Sequence, residues 1–119
     1  MRLACKTETP LLLRHSRYVV LARAESEGPV VGFVTAISDG VLSAYIPLLE
    51  VVPAYQRQGI GRELMRRMLS QLGAYYTVDL LCDPDLQPFY EQLGLRPATG
   101  MMRRAYERQA GRTPRNDGV

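Results

Sequence analysis

A chain of 119 residues leaves room for one hydrophobic core and no second domain. With 46% hydrophobic and 23% charged residues, it is neither a disordered acidic chain nor a coiled coil. Its net charge of +3 is carried almost wholly by arginine, Lys6 being the one lysine, which suits an anionic ligand without selecting nucleic acid over a phosphorylated cofactor.

The start, MRLACKTETP, lacks the long apolar block of a secretory signal, and no apolar run reaches the roughly 18 residues of a membrane span, so the sequence predicts a cytosolic protein with no membrane partner. MRLAC reads as a short edge strand, and in TPLLLRHSR the step from Thr9 to Pro10 opens a helix of about two turns. From Arg17 the pattern turns β-rich. RYVVLARA, VVGFVTAIS and VLSAYIPLLEVV, separated by Glu27-Gly28-Pro29 and Asp39-Gly40, predict an antiparallel meander. Pro47 in the third run has no N–H for a ladder bond, which implies an edge, a bulge or a splayed strand.

Ile60, Leu64, Met65, Met68, Leu69 and Leu72 then recur at helical spacing, with Arg62, Arg66 and Arg67 on the wetter face and Gly73 ending the helix. TVDLLC reads as a buried strand in which Cys82 is a small packed thiol; with Cys5 as the only other cysteine, a disulfide scaffold is excluded. DPDLQPFYEQLG predicts a shorter helix ended by Gly94, and LRP with MMRRAY supplies closing strand material. The expectation is one α/β domain over residues 1–106, an antiparallel meander followed by β-α-β-α-β, with a mobile tail at 107–119.

Gln56-Arg57-Gln58-Gly59-Ile60-Gly61-Arg62 lies between the broken strand and the strong helix. Helix-start amides point out of the helix end, and two glycines let backbone curl around an oxyanion, so phosphate fits there with Arg57 or Arg62 adding attraction. The plainer alternative is a glycine turn before a basic surface helix. No Gly-Lys-Ser/Thr follows, and the dinucleotide pattern is incomplete.

The stretch VVPAYQRQGIGRELMRRML resembles the acetyl-coenzyme A signature of the GCN5-related N-acetyltransferase superfamily: Gln/Arg, two residues, Gly, one residue, Gly/Ala, filled here by Gln56, Gly59 and Gly61. Phe89-Tyr90-Glu91-Gln92-Leu93-Gly94-Leu95-Arg96-Pro97 is similar to a segment near the end of the same fold, with Leu95 replacing the more usual phenylalanine. The resemblance covers about residues 17–105. It implies the acyl-CoA N-acyltransferase fold, a mixed sheet whose fourth and fifth strands, here about 41–52 and 75–81, diverge as an open V. It further implies acetyl-CoA as cofactor and CoA as product. The pantetheine arm would bond to backbone near Leu49 and Val51, and the pyrophosphate would meet the amides of Arg57, Gln58, Gly59, Ile60, Gly61 and Arg62, with Phe89 close by. Family members usually begin with a strand and two helices that enclose the acceptor. Only about 16 residues precede the first secure strand here, so the acceptor side is expected to be reduced, and either completed by a second subunit or no longer catalytic.

Acetyl transfer to an amine needs a proton donor for the departing thiolate. Tyr90 matches the family's frequent general acid; its alternative role is packing between helix and sheet. Glu50, the lone carboxylate in IPLLEVV, is the candidate base, acting directly or through water; its alternative is to face solvent opposite Leu49 and Val51. Tyr45 and Asp79 are weaker candidates for acceptor contacts. His15 is the only histidine, and Asp83, Asp85 and Glu91 show no metal-loop spacing, so no metal is expected.

The function expected is transfer of acetyl from acetyl-CoA to a primary amine by direct attack in a ternary complex; Cys82 has no histidine near it in sequence, which disfavours a covalent route. The alternative is a catalytically weak or inactive CoA-binding or partner-binding domain. Nucleic acid is not the expected partner, because the arginines of residues 57–67 and 103–115 accompany no nucleic-acid motif. An exposed sheet end with little cover predicts a homodimer.

Overall fold

Where a strand run is interrupted by a well-formed turn, the chain folds back on itself, and three such runs build the first half of the sheet. In the computed structural model, which describes residues 9–112, a seven-residue helix α1 (Thr9–His15) leads into β1 (Tyr18–Arg23), β2 (Val30–Ser38) and β3 (Ser43–Val51), paired antiparallel in chain order. The expected edge strand at MRLAC, Cys5 with it, and residues 113–119 of the expected tail lie outside the described residues. At the second turn the Asp39 carboxylate accepts the amides of Val41, Leu42 and Ser43 at 2.8, 2.9 and 3.2 Å. Those bonds hold its carboxyl below the usual carboxylate range. Gly40 takes φ 79° there, a region glycine enters without penalty.

Helix α2 (Ile60–Gln71) lies across the meander. Its Leu64, Met65 and Met68, with Leu72 just beyond its end, pack on Val34, Ala36, Ala44 and Ile46, and all eight are at most 4% exposed. Each large side chain buried this way contributes roughly 1.5–3 kcal/mol. The Tyr18 and Tyr75 hydroxyls meet at 2.6 Å and pin edge strand β1 to the connection after α2.

Pro47 acts as expected from its missing donor. Thr35 pairs with Leu48 but Ile37 with Tyr45, two steps on β2 against three on β3, so one extra residue bulges out at Ile46 and Pro47. The parallel strand β4 (Thr77–Asp79) pairs with β3 only up to that bulge, through Ser43–Thr77, Ala44–Val78 and Tyr45–Asp79. Past it the two chains part as a V. The strand expected over 75–81 is therefore cut to three residues, because Leu80 and Leu81 have no ladder left to join.

The second half differs from expectation in two further places. Pro84 and Pro88 each remove a backbone donor, and the helix expected over 83–94 becomes a 3₁₀ turn at Pro84–Leu86 followed by α3 (Gln87–Glu91). The closing strand expected from LRP and MMRRAY is not formed: residues 95–105 hold no strand, and the sheet ends at β4 in the order β1-β2-β3-β4. A three-residue edge offers little to pair with, and Pro97 and Gly100 do not favour an extended ladder.

Candidate active site

The V is walled on one side by backbone. In an antiparallel ladder successive residues direct their N–H and C=O groups to opposite edges. The Val52 amide donates to the Val31 carbonyl at 2.8 Å, which turns the polar groups of Val51 and Leu49 away from β2 and toward the gap. Gln56 Nε2 donates to the Val51 carbonyl at 3.0 Å, leaving the Val51 N–H and both Leu49 groups facing the opening. Leu80, Leu81 and Cys82 form the other wall of a cavity of about 660 Å³, and Tyr90 closes one side of it.

The loop after β3 is shaped to present amides. A 3₁₀ turn at Pro53–Tyr55 ends in extended Gln56; Arg57 then takes φ 64° and Gly59 φ 86° before α2 begins at Ile60. A non-glycine residue in that left-handed region costs about 1–2 kcal/mol. Among the described residues, none of the six amides from Arg57 to Arg62 has a hydrogen-bond acceptor; the next, that of Glu63, donates to Gly59 at 3.0 Å. A Cβ at Gly59 would meet nothing within 4 Å, and one at Gly61 only Phe89 Cζ and Val51 Cγ2 at 3.9 Å. Packing does not demand glycine at 61, and the bare Cα there leaves the backbone open to close approach from outside. Six free amides at a helix start fit a pyrophosphate, the anionic part of CoA.

The cations sort themselves by partner. Glu63 pairs with Arg66 at 2.6 Å and Arg67 at 2.7 Å, and their hydrogen bonds pull its carboxyl down to about 2. Arg62 Nη1 donates to Gln92 Oε1 at 2.9 Å, tying the start of α2 to the end of α3. Arg57 makes no ion pair among the described residues, so Arg57 and Arg62 are the guanidiniums free of carboxylates beside the loop.

Tyr90 stands on α3, its ring edge-on to Phe89 with centroids 4.9 Å apart, both packed against the core. Burial pushes its phenol above the usual tyrosine range and the neighbouring Cys82 adds to the shift, so at neutral pH it is a protonated donor. Tyr45 and Asp79 are register partners where the V opens. Glu50 pairs with Phe33 and alternates with Leu49 and Val51, which places its side chain on the sheet face opposite α2, where a neighbour engages it. The structure thus brings Leu49 and Tyr90 around one opening and leaves Glu50 out of its lining; the Gln56–Arg62 loop lies outside that lining and is tied to β3 by the bond from Gln56 to the Val51 carbonyl.

Sequence reasoning missed four contributors. Cys82 lies beside Tyr90, a position readable from the alternation of Val78, Leu80 and Cys82. Gln92 anchors Arg62, which no local pattern signals. Met101 and Met102 line the cleft from a segment expected to be strand.

Compared with known proteins, residues 3–95 match the model of the acetyltransferase (GNAT) family. A crystal structure from Deinococcus radiodurans R1, assigned as an acetyltransferase, is 51% identical with a TM-score of 0.82, covering 87% of this chain and 72% of that one. The GCN5-related N-acetyltransferase 3, chloroplastic, of Arabidopsis thaliana is 39% identical over 71 residues, 58% of this chain and 30% of its own length. The uncharacterized N-acetyltransferase ycf52 of Porphyra purpurea is 31% identical over 88 residues, 71% of this chain and 51% of its own. The chain spans about half the length, or less, of the curated relatives it matches.

Proposed function

This chain belongs to the GNAT acetyltransferase family, and from that premise we propose that it transfers the acetyl group of acetyl-CoA to a primary amine by direct attack within a ternary complex. The observation that carries the reading is the run of six acceptorless amides from Arg57 to Arg62, opening beside the outward-facing backbone of Leu49 and Val51. When bound, acetyl-CoA supplies an activated thioester and a thiolate leaving group. The loop amides, with Arg57 and Arg62, hold the pyrophosphate; the Leu49 and Val51 groups fix the pantetheine amides; Phe89 packs behind Gly61. Tyr90 Oη gives its proton to the departing sulfur, a task for which a phenol kept protonated by burial is suited. Glu50 stands outside the cleft, so water at the mouth of the V receives the proton of the attacking amine, and Tyr45 and Asp79 meet the acceptor there.

The domain carrying this chemistry ends near residue 106, and it works as a homodimer. No described helix is long and apolar enough to cross a membrane. The free thiol of Cys82 suits the reducing cytosol, which is the location in this reading.

Calorimetry with acetyl-CoA, followed by CoA release across a broad amine panel, tests the proposal. Gly61→Val is expected to bind acetyl-CoA about 10- to 100-fold more weakly, the loss of one or two charge-assisted hydrogen bonds, while remaining folded. Gly61→Ala serves as the gentler control, since its methyl meets neighbours only at 3.9 Å. Unchanged affinity in both, or no binding by the natural chain, defeats the assignment. Binding without turnover on any amine points instead to a CoA-binding domain.

A further inference from the structure

Arg62 and Arg66 stand one turn apart on the same side of α2, yet their charges meet different partners. Arg66, with Arg67, is neutralised by the Glu63 carboxylate at 2.6 and 2.7 Å, whereas Arg62 Nη1 donates to the neutral amide oxygen Gln92 Oε1 at 2.9 Å. A carboxylate fixes a guanidinium by cancelling its charge. An amide oxygen fixes it and leaves the charge whole. Arg62 is rooted in the first turn of α2, its own backbone N–H among the six without an acceptor, and the bond to Gln92 leaves its other side-chain donors for an anion.

The oxygen that meets Arg62 projects from a fixed root. Gln92 closes α3: its amide donates to the Pro88 carbonyl at 3.3 Å, the amides of Leu93 and Leu95 reach the Tyr90 carbonyl at 3.0 and 3.2 Å, and Gly94 turns the chain away at φ 96°. Leu93 packs on the core, and Phe89, three residues before Gln92, lies 3.9 Å from where a Cβ on Gly61 would stand. We propose that Gln92 is a positioning residue for coenzyme A, holding the Arg62 guanidinium, still fully charged, beside the amide loop before the pyrophosphate arrives. An unanchored arginine loses rotamer freedom as it engages an anion, and that loss weakens binding. With Gln92 in place, part of the ordering is complete once the chain has folded. The inference rests on the acetyl-CoA reading of the loop and deepens it, Gln92 acting through Arg62 alone.

Calorimetry with CoA at low and high salt, beside urea unfolding, tests this on the natural chain and on Gln92→Leu, Gln92→Glu and Arg62→Ala. Gln92→Leu removes the anchor and keeps the guanidinium, so CoA should bind about 3- to 10-fold more weakly with an unaltered dependence on salt. Gln92→Glu keeps an acceptor but cancels the charge. Binding should weaken there too, and should decline less steeply with added salt than in the natural chain. Combined with Arg62→Ala, Gln92→Leu should cost nothing further, because the group it positions is gone. Both side chains are exposed, so the unfolding midpoints should stay close to the natural value. The proposal is overturned by a Gln92→Leu chain that binds CoA as the natural one does, or that loses as much without Arg62 as with it. It is equally overturned by a Gln92→Glu chain that binds as tightly as the natural one, the result expected of a strap that only ties two helices together. Those outcomes leave the acetyl-CoA reading standing, whereas a natural chain that fails to bind CoA defeats that reading first.

Discussion

The two halves of the molecule are built on different terms. Among the described residues, every hydrophobic side chain that is fully buried lies between Val31 and Leu72, while Tyr76, Leu81, Leu86, Met101, Met102 and Tyr106 stand exposed beyond it. The first half pairs its strands over six to nine residues and clamps them under α2; the second has a three-residue strand, a five-residue helix and a strandless segment. The proposed site straddles the division. Its phosphate cradle and backbone wall belong to the tightly packed half, and Tyr90 belongs to the loosely packed one. In the proposed function, precision of binding would come from the closely packed wall and adaptation to an acceptor from the more exposed one.

The contrast is open to attack, most strongly through stability. Met65 is fully buried, so Met65→Ala should cost about 2–5 kcal/mol in denaturant unfolding, whereas Leu86→Ala, at a residue 46% exposed, should stay within about 0.5 kcal/mol. Equal losses would erase the difference between the halves. Next in size is Tyr90→Phe, which keeps the ring and removes the donor; kcat should fall roughly 10- to 1,000-fold with acetyl-CoA affinity nearly unchanged. Single-turnover rates check this without interference from product release, and a wild-type rate in the folded variant removes Tyr90 from the chemistry. The natural enzyme should also lose activity as pH rises past the phenol's elevated value, above the usual tyrosine range, and the variant should lack that decline.

The smallest effect is at the surface of the well-packed half. Glu63 is lowered from its ordinary 4.5 to about 2 by Arg66 and Arg67, so the stabilisation it adds is complete above 4.5 and lost as pH falls toward 2. Because the pairs are exposed, Glu63→Gln should barely change unfolding at neutral pH and should flatten the acid limb of the stability curve. An acid limb identical in the two chains would show that the pairs do not outlast solvent screening.

What the sequence made legible divides along the same line. The meander, the Asp39-Gly40 turn, the buried stripe of α2 and the amide loop are decided by neighbours within a few residues, and periodicity and turn chemistry show them directly. Pro47 disclosed the bulge for the same reason, since a missing N–H is a local fact. The length of β4 was not legible, because it is set by where a bulge on another strand turns the ladder away. Nor was the fate of residues 95–105, whose apolar and arginine residues read as strand until the edge they would join proves three residues long. In the site, the glycine positions and Tyr90 were visible as motif residues. The bond from Gln56 to the Val51 carbonyl and the strap from Gln92 to Arg62 depend on side-chain reach between elements, which no spacing rule records.

The strands of this sheet pair in the order in which they occur along the chain. Contacts between consecutive segments close short loops, and such contacts form quickly. By the time Leu72 has emerged from a ribosome, every fully buried hydrophobic side chain among the described residues has been made, and the meander and its helix are complete in sequence before the rest follows. In the proposed mechanism the fully buried core and the proton donor are thus encoded in different stretches of the chain, so a chain cut short after Leu72 would keep the first and lack the second.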